Sequence, residues 1–431
     1  MITNTITMDY PAVPMNQSKQ VQVLLSLKGD GQGVCAKPLN ISIALDRSGS
    51  MEGDKMEHAL KASEMLANLM NEQDTFSLIT FDHEVETVIE ATKGVNKEKL
   101  PEILKRIHAR GNTCLSGGYL TAVDQVKRTK SVNEIARVLL LSDGQANEGV
   151  SDRRGLERLV RDTLESAVTT TTFGLGDDFD EELMTAMSEE GGGNAYFIDQ
   201  PQESLEIFQE ELDSLRQLVA TGCTVRFSPQ IPGIQVKQCN SYQERGSRGW
   251  LIGDLSHSTA KTILVELIVP AMTTLTDELL LGSFDVSWLA DSDERERESL
   301  TIPVAIAVME PAQYSTLVPN TAVQVEAALL LVVQVKKEVR GLCLRRQARP
   351  AILLLDDAIE KLIKLESHSA DLADEIKELR TIKRRILEEG TDYLDAKESK
   401  YMHYMSLNLG SGNKTIYQKA KSRYARFVEM F

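Results

Sequence analysis

The sequence predicts an α/β fold: a doubly wound, mostly parallel sheet inserted in an all-β domain and followed by an α-helical C-terminal bundle. Three observations carry this expectation. Short apolar runs alternate with stretches of helical spacing over residues 38–220; strand-like runs with polar punctuation fill 221–318; helical spacing returns over 319–431. Residues 1–37 supply the N-terminal strand or strands of the β-domain. A chain of 431 residues exceeds one typical core and suits about two to three.

In the first unit "KQVQVLLSLKG" alternates Val21, Val23, Leu25 and Leu27, as a half-buried strand does, and "GDGQGVCAKP" ends it as a loop. This isolated strand is expected to join the sheet of the later β-region, which makes the α/β unit an insertion. "LNISIALD" is a buried strand and "DKMEHALKASEMLANLMNE" a helix; "TFSLITF" and "VETVIEA" are strands around a short polar turn. Helices follow at "KEKLPEILKRIHA" and "LSGGYLTAVDQVKR", then the strand "ARVLLLSDG". The helix "RRGLERLVRDTLES", strand "AVTTTTFGLG", helix "FDEELMTAMSEE" and strand "NAYFID" lead to a last helix at about 202–219. Repeated βα units imply a mostly parallel sheet with helices on both faces.

Beyond Thr221, "TGCTVRFSP", "SRGWLIGDL", "KTILVELIVP", "LLLGSFDVSWLA" and "SLTIPVAIAV" read as strands. From about Asn320 three helices are expected, at "TAVQVEAALLLVVQVKKEVRG", "RPAILLLDDAIEKLIKLES" and "DLADEIKELRTIKRRILEE". The last sets Leu372, Ile376, Leu379, Ile382 and Ile386 on one stripe, the pattern of an antiparallel bundle, and oligomerisation through these helices is open.

Composition narrows the function classes. A net charge of -16 argues against a nucleic-acid backbone or an anionic membrane as the main partner. Cys35, Cys114, Cys223, Cys239 and Cys343 are scattered without a CxxC pair and read as reduced thiols. No basic-then-apolar start marks a secretory signal, and no apolar run approaches the roughly 20 residues of a membrane span, so the expected location is cytoplasmic. The dinucleotide fingerprint, the phosphate-binding loop and the H-E-x-x-H metalloprotease helix are all missing.

The chemistry concentrates in "LNISIALDRSGSM", where an apolar run ends in an acid, two serines and a glycine. In an open parallel sheet the loops at the carboxyl ends of the strands form one crevice. "DRSGS" brings Asp46, Ser48 and Ser50 there; "ARGNTCLSGG" brings Thr113; "LLLSDGQANEG" brings Asp143. Hydroxyl and carboxylate oxygens without histidine or cysteine suit a hard cation, Mg²⁺, or Mn²⁺ or Ca²⁺ in its place. Gly49 and Gly144 allow tight turns around it.

"LDRSGSM", "GNT" and "LLLSDGQANEG" resemble the three parts of the metal-ion-dependent adhesion site of von Willebrand factor type A domains, and the βα order is similar over roughly 38–220. The resemblance implies that Asp46, Ser48 and Ser50 form the first metal loop, Thr113 the second and Asp143 the third. It also implies that a partner's Asp or Glu carboxylate completes the ion and that movement of the last helix couples to affinity. The opening strand, the "DRSGSM" site and the β-region look like prokaryotic relatives of calcium-activated chloride channels or inter-alpha-trypsin inhibitor heavy chains.

The expected function is thus non-enzymatic: a metal-dependent protein-interaction scaffold. An adaptor for an ATPase supplied by another chain is the alternative, and a metal-dependent hydrolase using His83 or Asp178 is a third reading. Asp177 and Asp178 read chiefly as turn acids, His83 as a hairpin-turn residue and Ser116 as a helix cap. Arg340, Arg345, Arg346, Arg349 and the "KRR" at 383–385 read as a solvated helical face or as partners of the many nearby acids, ahead of an anionic-ligand site, "DSDERERE" at 291–298 as an exposed loop, and "MSLNLGSGNKTIYQKAKSRYARFVEMF" as a loop and a short basic helix.

Overall fold

The computed structural model describes residues 2–30, 37–131, 134–176, 179–198, 201–257, 260–289, 297–393 and 410. Asp177, Asp178, residues 291–296 of the acidic-basic run and the C-terminal segment apart from Gly410 lie outside the described residues.

The chain opens with β1 (Ile2–Met8), β2 (Ala12–Pro14) and β3 (Lys19–Gly29). β3 is the alternating strand, with Val21, Val23, Leu25 and Leu27 fully buried, and β1 is an additional strand paired antiparallel to it.

There follow β4 (Leu39–Asp46), α1 (Asp54–Leu69), β5 (Thr75–Phe81), β6 (Val85–Lys93), α2 (Leu100–Leu104) and α3 (Leu115–Thr129). Then come β7 (Ile135–Ser142), α4 (Arg153–Leu164), β8 (Thr169–Leu175), α5 (Glu181–Glu190), β9 (Gly192–Ile198) and α6 (Pro201–Arg216). The strands form one sheet in the order β6-β5-β4-β7-β8-β9, parallel except for the hairpin strand β6. Every residue of β4, β5, β7 and β8 is buried, as a sheet covered on both faces requires. Successive residues of β4 and β7 enter opposite cores: Ala44, Val138 and Leu140 face α3, α4 and α5, whereas Ile43, Leu45, Leu139 and Leu141 face α1 and α6. The chain runs from β4 outward to β6, then crosses back to β7 on the other side of β4. This reversal opens a crevice beyond the carboxyl ends of β4 and β7.

Two helices are shorter than expected. α2 stops at Leu104 because Arg106 and Ile107 close it with tight turns onto Ile103 and Leu104, which frees the Arg110 N–H to bond the Arg47 carbonyl at 2.7 Å. α6 stops at Arg216, whose guanidinium reaches Asp74 at 2.7 Å, and Leu218–Ala220 already pair with Ser256 and Leu255 as strand.

The chain returns through β10 (Leu218–Pro229), β11 (Gln235–Gln238), β12 (Gln243–Glu244), β13 (Trp250–Ser256), β14 (Lys261–Val269), β15 (Thr276–Leu289) and β16 (Arg297–Met309). One sheet runs β1-β3-β14-β11 and the other β12-β13-β10-β15-β16-β2, with a shared apolar core between them. β3 thus joins the later sheet, in register Val23 to Val265 and Leu25 to Ile263. The short helix α7 (Pro311–Tyr314) precedes α8 (Thr321–Leu344), α9 (Ala348–Ile363) and α10 (Ala370–Glu389). The Leu372, Ile376, Leu379, Ile382 and Ile386 stripe is buried within the chain, in one apolar cluster with α8, α9 and the α3–α5 face of the α/β sheet. Among the described residues no helix is long and apolar enough to cross a membrane.

Candidate metal site

The five oxygens picked out in the sequence come from three loops at the crevice. Asp46 ends β4, Asp143 directly follows β7, and Thr113 directly precedes the turn into α3. Asp46 and Asp143 are fully buried, Ser48 and Thr113 nearly so, and Ser50 is exposed. A hydrogen bond from Arg110 N to Arg47 O (2.7 Å) and another from Gly49 N to Gly111 O (3.0 Å) tie the first loop to the second. The second is tied to the third: Thr113 N donates to Asn147 Oδ1 (2.7 Å), and Asn147 N and Glu148 N donate back to Thr113 O (3.1 Å each). The third meets the first through Ser142 Oγ, which donates to Asp46 Oδ2 at 2.5 Å.

Local backbone chemistry explains the turns. Asp46 Oδ1 accepts from Ser48 N at 2.8 Å and Asp143 Oδ1 from Gln145 N at 3.3 Å, so each acid stabilises its own turn with one oxygen. Gly144 has φ +75°, a left-handed conformation that favours glycine. Ser48 and Ser50 cap nothing: α1 begins after Gly53 without a side-chain cap, and the short turn Gly49–Met51 has no side-chain cap from Ser48. Their hydroxyl oxygens instead sit 3.1 Å apart. Adjacent ligands of an octahedral ion with bonds near 2.1 Å are separated by about 3.0 Å.

The electrostatics ask for a cation. Burial pushes the Asp46 carboxyl up to about 6; the neighbouring Asp143 carboxylate adds to the rise, and hydrogen bonds from Ser142 and Ser48 oppose it. Among the described residues one positive group reaches the pair. Lys55 of α1 places Nζ 3.3 Å from Asp143 Oδ2, and the sequence reading did not single it out. Ser142 and Asn147 were likewise missed; both stand within the "LLLSDGQANEG" stretch that supplied Asp143. Hard oxygens, buried acids and a deficit of positive charge together fit a small divalent cation.

The other candidates behave differently. His83 sits in the β5–β6 turn with Nδ1 3.2 Å from Asp82 Oδ1. Asp82, His83 and Glu84 bring ligand-type atoms within 4.8 Å of one another, but their charge is already met. Asp82 Oδ2 accepts from Arg47 Nε (2.9 Å) and Arg110 Nε (2.7 Å), and Glu84 from Arg110 Nη2 (2.8 Å). Ser116 is not a cap; it lies inside α3, and its Oγ accepts from Val150 N at 3.0 Å, holding the end of the third loop.

Comparison with known proteins bears on the fold that carries these loops. Residues 40–211 match the von Willebrand factor type A domain model. An uncharacterized protein of Synechocystis sp., sll0103, is 24% identical over 72% of this chain and 75% of its own length. YfbK of Escherichia coli is 27% identical over 48% of this chain, and the pig inter-alpha-trypsin inhibitor heavy chain H4 is 26% identical over 43%. The match spans only 36% and 21% of those two proteins. Among solved structures, a von Willebrand factor type A protein from Catenulispora acidiphila superposes with TM-score 0.67 over 88% of this chain and 89% of that one, at 15% identity. The ArnB paralog VWA2 from Sulfolobus acidocaldarius superposes with TM-score 0.58 over 96% and 97%, also at 15% identity. Residues 40–211 are therefore a von Willebrand factor type A domain, and such domains commonly mediate protein interactions.

Proposed function

We propose that this chain is a metal-dependent interaction scaffold that captures an Asp or Glu carboxylate of a partner protein through Mg²⁺ held at the crevice. Asp46, Ser48, Ser50, Thr113 and Asp143 would hold the ion directly or through water. The observation that carries the reading is the convergence of two buried carboxylates with three hydroxyl residues on loops bonded to one another. A bound ion would supply electrostatic attraction for an anionic oxygen from outside. The residues do the rest. Asp46 and Asp143 provide the negative charge, the three hydroxyls provide neutral donors, and the inter-loop hydrogen bonds keep the donors in place before binding. The role of His83 supports a non-enzymatic reading, because its neighbour Asp82 is held by two guanidinium groups and is not poised as a base.

The test pairs Mg²⁺ titration calorimetry with pull-downs, using wild type and Asp143→Ala, each with Mg²⁺ or with chelator. Saturable Mg²⁺ binding that Asp143→Ala abolishes, with partners retained only by wild type in Mg²⁺, is the expected result. The same partners under all four conditions would remove the crevice as the interface.

A further inference from the structure

The helical bundle ends in a surface that the metal site does not use. α8 starts on the β-sandwich, where Glu326 accepts a hydrogen bond from Thr262 (3.0 Å). Further along, Arg340 Nη2 is 2.7 Å from Glu181 Oε1 at the start of α5. The preceding residue, Asp180, donates its N–H to the Asp143 carbonyl at 2.7 Å. α8 continues from Arg340 to Leu344, about 6 Å. The α8–α9 turn therefore projects from the same end of the molecule as the crevice.

Two sequence features gather there. Among the described residues, Arg345 and Arg346 in this turn and Arg349 at the start of α9 make no ion pair, whereas Arg340 does. Arg346 also holds φ +57°, a left-handed conformation costly for a residue with a side chain. In the "KRR" of α10, Lys383 pairs with Asp356 and Arg385 with Glu389, as a solvated face does. From the Lys383–Asp356 pair, one helical turn toward the α8–α9 turn leads to Leu387 on α10 and Leu353 on α9. Those leucines are each 62% exposed and Leu344 is 64% exposed; of the exposed large hydrophobics among the described residues only Val318 is more open. Arg349 is one turn beyond Leu353 on the same helix.

On a chain of net charge -16, unpaired arginines beside exposed leucines form a patch opposite in sign to the rest of the molecule. Arginine fits carboxylates by paired N–H donors, and the leucines call for apolar side chains between those acids. We infer that this end of the bundle docks an acidic amphipathic segment of the partner protein. The leucines favour such a peptide over a phosphate backbone, which has nothing apolar to offer them. The inference rests on the reading of the crevice as a carboxylate-capturing site, and it adds a second contact, independent of metal, for the same class of partner.

The test uses full-length chain and a fluorescent synthetic peptide of about five helical turns with Glu and Leu on one face. Two controls have the same length, one with Lys for Glu and one with Gln for Leu. At low salt the Glu/Leu peptide is expected to bind saturably, and R345E/R346E/R349E to weaken it by at least about tenfold. Leu353→Ser should weaken it too, with an unchanged melting temperature. Chelator and Asp143→Ala should leave this binding intact, so the patch and the metal site succeed or fail separately. No saturable binding up to about 1 mM, equal binding of the Lys/Leu or Glu/Gln peptide, or a triple variant within twofold of wild type would overturn the inference. So would sedimentation in which wild type dimerises and the triple variant does not, because the occupant is then a second copy.

Discussion

Strand β7 ends in a buried charge problem on both sides, and the two are solved in opposite ways. Near its start, Arg137 is fully enclosed and each of its three guanidinium nitrogens is paired. Its Nε donates to Thr169 (2.9 Å), its Nη1 to Thr171 (2.9 Å) and Glu211 (2.7 Å), and its Nη2 pairs with Asp254 of the sandwich. Glu211 on α6 in turn accepts from Thr171 (2.6 Å), Asn194 (2.9 Å) and Tyr196 (2.8 Å). Burial alone would raise its carboxyl, but Arg137 and these hydrogen bonds hold it below the usual range. Just past the end of β7, Asp143 shares the crevice with Asp46 and has one lysine at 3.3 Å, while Asp46 is pushed up. A buried charge whose partners are all internal serves the fold; buried charges of one sign left short of counter-charge are held for something else.

The comparison can be broken most directly by removing one acid from each end. Glu211→Ala leaves Arg137 underpaired in the core and should lower unfolding stability by about 3–5 kcal/mol in denaturant titrations. Asp143→Ala without metal should cost less than about 1 kcal/mol, because it also relieves Asp46; a loss as large as that of Glu211→Ala would erase the distinction. Next in size is the effect of metal. Mg²⁺ at about 100 times its Kd should stabilise wild type by about 2.7 kcal/mol, and a thermal-shift assay should find no such gain in Asp143→Ala.

Lys55 sharpens the comparison further, since its ammonium lies where a metal-bound Asp143 would meet like charge. Lys55→Met should tighten Mg²⁺ binding by about tenfold in calorimetry; weaker binding would make Lys55 a positioning group for Asp143. The smallest effect belongs to an intermediate case. Glu189, half-buried, accepts from Gln243 at 2.7 Å, and burial chiefly pushes its carboxyl from 4.5 up to about 7. The folded protein therefore keeps a proton that the unfolded chain releases, and this contribution, present at low pH, is lost as pH rises from 4.5 to about 7. Glu189→Gln should flatten that decline, by about 1 kcal/mol in stability–pH profiles once the solvent screening of a partly exposed carboxyl is allowed for.

Much of the candidate site was legible because its residues are local. Asp46, Ser48 and Ser50 lie within one turn of chain, and a buried strand before each acid placed both at the carboxyl end of the sheet. Lys55 escaped notice because helical spacing gave its charge an ordinary explanation, on the solvated side of α1. Ser116 was misread as a cap because its partner, Val150 N, is distant in sequence. The α6 end was overrun because "RQLVA" continues the helical spacing, and only pairing with β13 turns it into strand.

By itself the sequence determined the order of elements, the apolar faces and the loops that carry the candidate site, since these follow from periodicities of two and 3.6 residues and from local turn chemistry. The tertiary structure alone decided which charges meet. Arg137 finds Asp254 across 117 positions and Arg340 finds Glu181 across 159, while Arg345, Arg346 and Arg349 are left facing solvent. Charges interact through space over a few ångströms and irrespective of separation along the chain, so no pattern in the sequence distinguishes the paired arginine from the unpaired one.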